Sequence, residues 1–146
     1  MLTSTMNELT KPEKAWLACA IDSEGSVNLR RDSRHPNTMN LSVWFCNTNS
    51  EFARRFADLT GGILYNRHPR GFGKKEQYEV YVTSKARVKR VLESALPYLI
   101  VKRNKAVLVL DWIDKHPQGR EERMIRLNMT MPRDIHGSNT KLGPRQ

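Results

Sequence analysis

The sequence predicts an α+β fold in which helices cover one face of a four-stranded antiparallel sheet. Four segments alternate polar and apolar residues with a period of two, as half-buried strands do. Helical segments separate these strands in pairs, so that the order is helix, two strands, helix, two strands, helix, helix. This order lacks the strand–helix–strand rhythm of a parallel sheet, which favours antiparallel hairpins.

The first helix is predicted over about 11–21. It opens with a capping box at residues 10–13 (TKPE), which places a proline near the helix start. After Lys14 the helix is apolar on nearly all sides, so we expect it to be buried. The small residues at 18–20 (ACA) would let another backbone approach closely.

Two hairpins and the second helix follow. The first hairpin has strands over 26–30 and 40–47, with Val27 and Leu29 opposite the polar residues of the first strand. A second capping box at 48–51 (TNSE) opens a helix that ends at the glycine pair 61–62. The second hairpin has strands over 63–68 and 77–83, joined by the turn-forming segment PRGFGKKE.

The remaining helices complete one domain over residues 1–115. Ser84 begins the third helix and Pro97 ends it. The fourth helix is predicted over 102–115, with inward residues Ala106, Val107, Leu110 and Ile113. Residues 116–146 are predicted to form a basic C-terminal extension with one short helix around 121–127 and a mobile end.

The charge of the chain predicts a polyanionic partner. Lys and Arg outnumber Asp and Glu by 25 to 15, the net charge is +10, and the pI is near 10.0. Nucleic acid is the leading partner on this ground. Because no apolar run approaches the roughly 20 residues of a membrane span and the N-terminus lacks the order of a signal peptide, we expect a soluble, intracellular protein. Its compartment, prokaryotic cytoplasm or organelle, stays open.

The cysteines and histidines predict no structural zinc site. Cys19 and Cys46 form no CxxC pair and are expected to be reduced packing residues. The four histidines are scattered, without the spacing that assembles three or four zinc ligands.

Residues 17–25 (LACAIDSEG) place two carboxylates directly after a helix of small residues. A simple helix stop would explain Asp22 and Gly25. The stretch also resembles the motif of the LAGLIDADG homing endonucleases, with Glu24 in place of the final Asp. The segment 97–110 (PYLIVKRNKAVLVL) is similar to that family's third-helix segment, and the predicted order is similar to its αββαββα core. The resemblance covers roughly 11–113.

The resemblance implies a saddle-shaped sheet that binds DNA, with the helices on its other face. The chain carries one copy of the motif, so the resemblance also implies a homodimer whose motif helices pack against each other. The interface residues are then expected to be Leu17, Ala18, Ala20 and Ile21.

The resemblance further implies a metal-dependent active site. Divalent metals held by carboxylates neutralise phosphate charge and activate water for phosphodiester hydrolysis. Glu24 corresponds to the catalytic metal ligand, Ser23 is expected to join it, and Asp22 supports the helix end. Lys102 and Asn49 match supporting catalytic positions, although each could be an exposed helix-end residue, and Lys102 with its basic neighbours could simply hold the DNA backbone. The expected cofactor is Mg2+, with Mn2+ or Ca2+ able to replace it in binding.

Specificity is assigned to the polar face of the sheet, because a two-stranded ribbon fits the major groove and its alternate side chains can reach base edges. The residues on that face are Asn28, Arg30, Asn40, Ser42, Trp44, Tyr65, Arg67, Gln77 and Glu79, with Tyr81 as a further candidate. Arg34 and Arg70, at the hairpin tips, are expected to hold phosphates. An ordinary solvated sheet face would explain the alternation but not an exposed Trp44.

The expected function is therefore a homodimeric, magnesium-dependent endonuclease that recognises a long pseudo-palindromic DNA site. It would cut both strands across the minor groove and leave short 3′ overhangs. One alternative is a protein of the same fold that has lost cleavage or serves as an intron RNA splicing cofactor (maturase). Another is a small basic structural RNA-binding protein, which would not need an acid at the end of a small-residue helix.

Overall fold

The computed structural model describes residues 8–36, 38–68 and 75–116. It confirms the α+β fold, with four helices and one four-stranded antiparallel sheet in these ranges. The elements are α1 (Lys11–Glu24), β1 (Gly25–Arg31), β2 (Met39–Asn47), α2 (Ser50–Thr60), β3 (Ile63–Arg67), β4 (Gln77–Val82), α3 (Lys85–Ala95) and α4 (Arg103–Lys115), with a 3-10 turn at Leu96–Tyr98.

The strands lie in the order β1-β2-β4-β3, so that the two hairpins meet through β2 and β4. Val27 pairs with Val43 across the first hairpin, and Phe45 pairs with Val80 across the centre. These side chains are fully buried. One face of the sheet therefore forms the floor of the core, and the alternate residues point the other way.

The helices cover that apolar face. Phe45 of β2 stacks on Phe56 of α2 with ring centroids 4.6 Å apart, and Leu17 of α1 and Leu92 of α3 join the same buried cluster. The inward residues of α4 are Ala106, Val109, Trp112 and Ile113. The prediction for Val107 was wrong: its side chain is 46% exposed, because the stripe that faces the core runs through residues 106, 109 and 113.

Helix α1 is longer than the sequence predicted, because it continues through the acidic residues to Glu24. A side chain from elsewhere in the fold, that of Lys102, binds the last carbonyls of the helix. The chain then turns directly into β1 at Gly25. A Cβ there would lie 2.9 Å from Ile21 Cα and 3.2 Å from the carbonyl oxygen of Trp44, so the junction needs glycine.

The other differences are small. Asn49, not Thr48, is the N-cap of α2, and β3 and β4 each end one residue earlier than predicted. Gly61 ends α2 in the left-handed conformation with φ 71°, as glycine permits. The predicted helix at 121–127 and the rest of the C-terminal extension beyond 116 lie outside the described residues. None of the described helices is both long and apolar enough to cross a membrane.

Candidate active site and nucleic-acid interface

Asp22 fastens the end of α1 to the segment that precedes α4. Its two carboxylate oxygens accept hydrogen bonds from the backbone N–H groups of Ile100, at 2.8 Å, and of Lys102, at 2.9 Å. A carboxylate that accepts two backbone N–H bonds is a strong tether. Asp22 therefore ties the helix end to a segment that is distant in the sequence.

Lys102 binds the same end of α1 through its side chain. Its Nζ donates to the carbonyl oxygens of Ile21, at 2.7 Å, and of Asp22, at 3.0 Å. Burial lowers the pKa of Lys102, and attraction to the carboxylates of Asp22 and Glu24 partly opposes that shift. A cation at the C-terminal end of a helix also offsets the helix dipole. Lys102 is thus a structural partner of the motif helix, bound to carbonyls of the turn that ends at Glu24.

Glu24 leaves the last turn of α1 with an exposed side chain. Glu24 directly precedes Gly25, which pairs with Phe45 of β2, so Glu24 lies at the end of the sheet where β2 finishes. Burial, followed by the carboxylates of Glu79 and Glu24, raises the pKa of the Cys46 thiol. Ser23 is also exposed, and its Oγ donates to the carbonyl oxygen of Cys19 at 2.8 Å. Within the described ranges, no three His, Cys, Asp or Glu side chains are grouped as metal ligands. One copy of the chain thus supplies Glu24 without a complete set of side-chain ligands.

Asn49 has a visible structural task. Its Oδ1 accepts a hydrogen bond from the backbone N–H of Phe52 at 3.0 Å, which caps α2. Its own backbone N–H donates to Oδ1 of Asn47 at 2.8 Å. The exposed helix-end role weighed for Asn49 is therefore the one that these contacts show.

The interface assigned to the motif helix needs correction. Leu17, Ala18, Ala20 and Ile21 are buried in the chain's own core, so their side chains have no free surface for a partner. Cys19 and Ser23 are exposed on the same helix, four residues apart and hence on one face. Cys19 was also expected to be a packing residue, and its exposure shows that this was wrong.

The strand register brings the predicted DNA-facing residues to one face of the sheet, opposite the core. Asn28 pairs with Ser42, and Tyr65 pairs with Glu79. The complete set predicted for that face, with strand partners in register, is Asn28, Arg30, Asn40, Ser42, Trp44, Tyr65, Arg67, Gln77, Glu79 and Tyr81. Ser26, Cys46 and Ile63 lie on the same face by register, although the predicted DNA contacts did not include them.

Three aromatic residues occupy the centre of this face. Trp44 stacks on Tyr81 with ring centroids 6.2 Å apart, and Tyr65 meets Tyr81 edge-on at 5.7 Å. Trp44 is therefore half-buried among its neighbours instead of fully exposed as expected. Tyr65 remains 48% exposed.

Glu79 lies beneath its neighbours on the same face. Its carboxylate Oε2 lies 2.5 Å from Arg67 Nε and accepts a hydrogen bond from the Tyr81 hydroxyl at 3.3 Å. Only 8% of the Glu79 side chain is exposed, against 65% for Arg67. Arg67 and Tyr81 therefore cover Glu79, and its predicted contact with DNA stays a prediction.

Of the two arginines predicted to hold phosphates at the hairpin tips, one lies within the described residues. Arg34 is exposed in the β1–β2 turn, where its backbone N–H donates to Oδ1 of Asp32 at 2.8 Å. Arg70 lies outside the described residues.

Comparisons with known proteins connect this geometry to a family. No protein-family model and no curated protein matched the chain. Among solved structures, the homing endonuclease I-CvuI in complex with the I-CreI target, in 2 mM Mg, is 25% identical with a TM-score of 0.63, covering 79% of this chain and 74% of that chain. I-CvuI with its own target, in 2 mM Ca, is also 25% identical, with a TM-score of 0.60 and coverage of 74% and 69%.

A third similar structure is that of a protein of which the match covers only a part. The LAGLIDADG meganuclease I-CpaMI, bound to uncleaved DNA, is 15% identical with a TM-score of 0.53. The match covers 78% of this chain but only 42% of that chain. One copy of this fold therefore accounts for less than half of I-CpaMI.

Proposed function

We propose, on the premise that this chain belongs to the LAGLIDADG homing endonuclease family, that it is a site-specific endonuclease making a double-strand break in a long pseudo-palindromic DNA site. The observation that carries the proposal is the position of Glu24. Its exposed carboxylate ends the motif helix beside the polar face of a sheet whose residues can read bases. The homing context, an intron or another mobile element, is part of the same proposal.

The active form is proposed to be a homodimer. Each chain supplies one Glu24, and two chains related by a two-fold axis would place one such carboxylate at each of the two strands to be cut. The length relation to I-CpaMI, of which one copy of the fold covers 42%, supports the same arrangement.

The surface proposed for the dimer surrounds the end of α1. Cys19 and Ser23 present small exposed side chains, which would allow the second helix to approach closely. Ile100 and Val101, tied to this helix end through Asp22 and Lys102, are 84% and 73% exposed. Pairing two copies would remove these large apolar side chains from water.

Glu24 is the residue proposed to hold a divalent metal. The donors at this helix end are hard oxygens, a carboxylate and main-chain carbonyls at the negative end of the helix dipole, which suit Mg2+. Lys102 already binds the carbonyl oxygens of Ile21 and Asp22. Ser23 is therefore proposed to contribute its main-chain carbonyl oxygen to the metal. When bound, the metal would neutralise phosphate charge and lower the pKa of a coordinated water. I-CvuI was crystallised on DNA in the presence of Mg, where the DNA was not cleaved, and in the presence of Ca, which is consistent with the use of a divalent metal.

Other residues of this chain are assigned the positioning of Glu24 and of the DNA. Asp22 and Lys102 fix the helix end, so Glu24 projects from a rigid point toward the DNA. The Lys102 ammonium, held on the carbonyls of Ile21 and Asp22 in the turn that ends at Glu24, is proposed to stabilise charge that develops on the phosphate. The polar face of the sheet would enter the major groove and fix the register of the cut.

Selection of cleaved sites from a randomised double-stranded DNA library tests this proposal. Purified protein in Mg2+ should cleave sites whose two halves are related by two-fold symmetry. It should cut both strands of each such site. Sites that are retained by the protein but stay intact would contradict the endonuclease and favour a cleavage-inactive DNA-binding protein. Preference for RNA over DNA would contradict the proposal as well.

A further inference from the structure

The centre of the polar face contains a carboxylate where a DNA-binding surface is expected to be positive. Glu79 is on the inner strand β4, between Cys46 of β2 and Tyr65 of β3. Its charge would repel phosphate, and its near-complete burial is costly unless the charge is paired. This buried charge therefore needs a group that pairs it.

The partner that pairs this charge is Arg67. Arg67 stands opposite Gln77, two residues from Glu79 along β4, so the two side chains meet on a diagonal of the hairpin. The contact uses Nε at 2.5 Å, while 65% of the Arg67 side chain stays exposed. A guanidinium has five N–H donors, so this contact leaves others free to face outward. The Tyr81 hydroxyl, which donates to the same Glu79 oxygen, flanks the pair.

We propose that Glu79 is a positioning residue for base recognition, which holds the guanidinium of Arg67 so that its remaining N–H groups read the major-groove edge of a guanine. This inference rests on the proposed DNA function and names the residue pair that sets preference at one base pair of each half-site. Guanine presents O6 and N7 as paired acceptors, and a fixed guanidinium fork matches them. Fixing the fork before binding removes the cost of ordering a long side chain in the complex.

The inference predicts effects of opposite sign in one variant. Glu79→Gln removes a negative charge from the DNA-facing surface, so affinity for non-cognate DNA should rise. It also releases Arg67, so discrimination for guanine over other bases at that pair should fall about tenfold. A residue that only stabilised the sheet would instead lower affinity for every sequence together.

The experiment measures equilibrium binding of the full chain to its selected site and to every single-base-pair variant of it, in Ca2+. The variants are Glu79→Gln, Arg67→Ala, their double substitution, and Glu76→Gln as the control. Glu76 is exposed near the start of the same strand and pairs with His68 instead of Arg67. Glu76→Gln should raise non-cognate affinity without changing base preference. In the double variant, Glu79→Gln should add nothing to the loss of preference caused by Arg67→Ala.

Arg67→Lys provides a second variant that does not depend on Glu79 tolerating substitution. It keeps the positive charge on an exposed side chain but lacks the planar fork, so it should bind and lose guanine preference. Unchanged preference in Glu79→Gln or in Arg67→Lys, with a wild type that discriminates, overturns the inference and leaves the endonuclease proposal intact. A wild type that binds all DNA sequences equally overturns both.

Discussion

Asp22 and Lys102 bind each other through two hydrogen bonds across a separation of 80 residues. The backbone N–H of Lys102 donates to Asp22 Oδ1 at 2.9 Å, and Lys102 Nζ donates to the carbonyl oxygen of Asp22 at 3.0 Å. The two stretches that carry the family resemblance, LACAIDSEG and PYLIVK, therefore form one structural unit. Its rigidity determines where Glu24 is presented.

Asp22→Ala should weaken this unit. The backbone N–H groups of Ile100 and Lys102 lose a charged acceptor, so the free energy of unfolding should fall by about 1–2 kcal/mol. Cleavage should fall further than binding, because Glu24 is no longer held in place. Urea denaturation gives the first quantity. Asp58→Ala, at an exposed position of α2, is the control and should change stability by less than about 0.5 kcal/mol.

Two substitutions at adjacent positions of α1 should separate folding from dimer formation. Cys19 is exposed and Ala18 is fully buried. Cys19→Phe should leave each chain folded but disrupt the dimer, whereas Ala18→Phe should overpack the core and cost on the order of 1–3 kcal/mol of stability. Sedimentation and thermal unfolding measure the two effects. A wild type that sediments as a monomer at micromolar concentration would refute the dimer.

Arg34→Ala tests the proposed phosphate contact at the first hairpin tip. Affinity should fall equally for all DNA sequences, and the slope of log affinity against log salt should shrink by about one unit for each phosphate that the variant no longer neutralises. Arg54→Ala, an exposed arginine of α2 in the helical layer, should leave both quantities unchanged. A change in base preference at any position would instead show that Arg34 reads sequence.

Lys102→Met tests the burial of the ammonium. Burial lowers the pKa of Lys102 below its ordinary 10.5 in the folded chain. Between the lowered value and 10.5 the unfolded chain binds more protons, so this group makes the folded protein more stable as pH rises. The stability of the wild type relative to Lys102→Met should therefore rise with pH across that window. Denaturation curves at several alkaline pH values measure it, with Lys115→Met as an exposed comparison from α4. A constant difference would contradict the shift.

The fold could be predicted from the sequence where its determinants are local. Alternation with a period of two placed Asn28, Trp44 and Arg67 on the correct face, because each strand carries that information within a few residues. The end of α1 could not be predicted in the same way. The last turn is closed by the Gly25 N–H, which donates to the Ile21 carbonyl, and its carbonyls are capped by Lys102, distant in sequence, while the local signal of Asp22 and Gly25 indicated an earlier stop.

The sequence predicted which residues form the site but not which other residues they contact. Because α1 is apolar on nearly all sides, its sequence cannot distinguish the face that packs on its own core from the face left for a partner, and Ala18 was assigned to the wrong one. Glu79 was expected to face DNA because the alternation put it on that face. Its burial depends on the β3–β4 register, which brings Arg67 over it, and that register is not encoded in either strand alone.

Glu24→Gln tests most directly whether Glu24 is the catalytic metal ligand. On the selected DNA site in Mg2+, the variant should cut neither strand while binding within about tenfold of the wild type, because it loses the ligand but also a negative charge that repels phosphate. Glu93→Gln, an exposed glutamate of α3, should cut like the wild type. Nicking or double-strand cleavage by Glu24→Gln in Mg2+ would contradict the account.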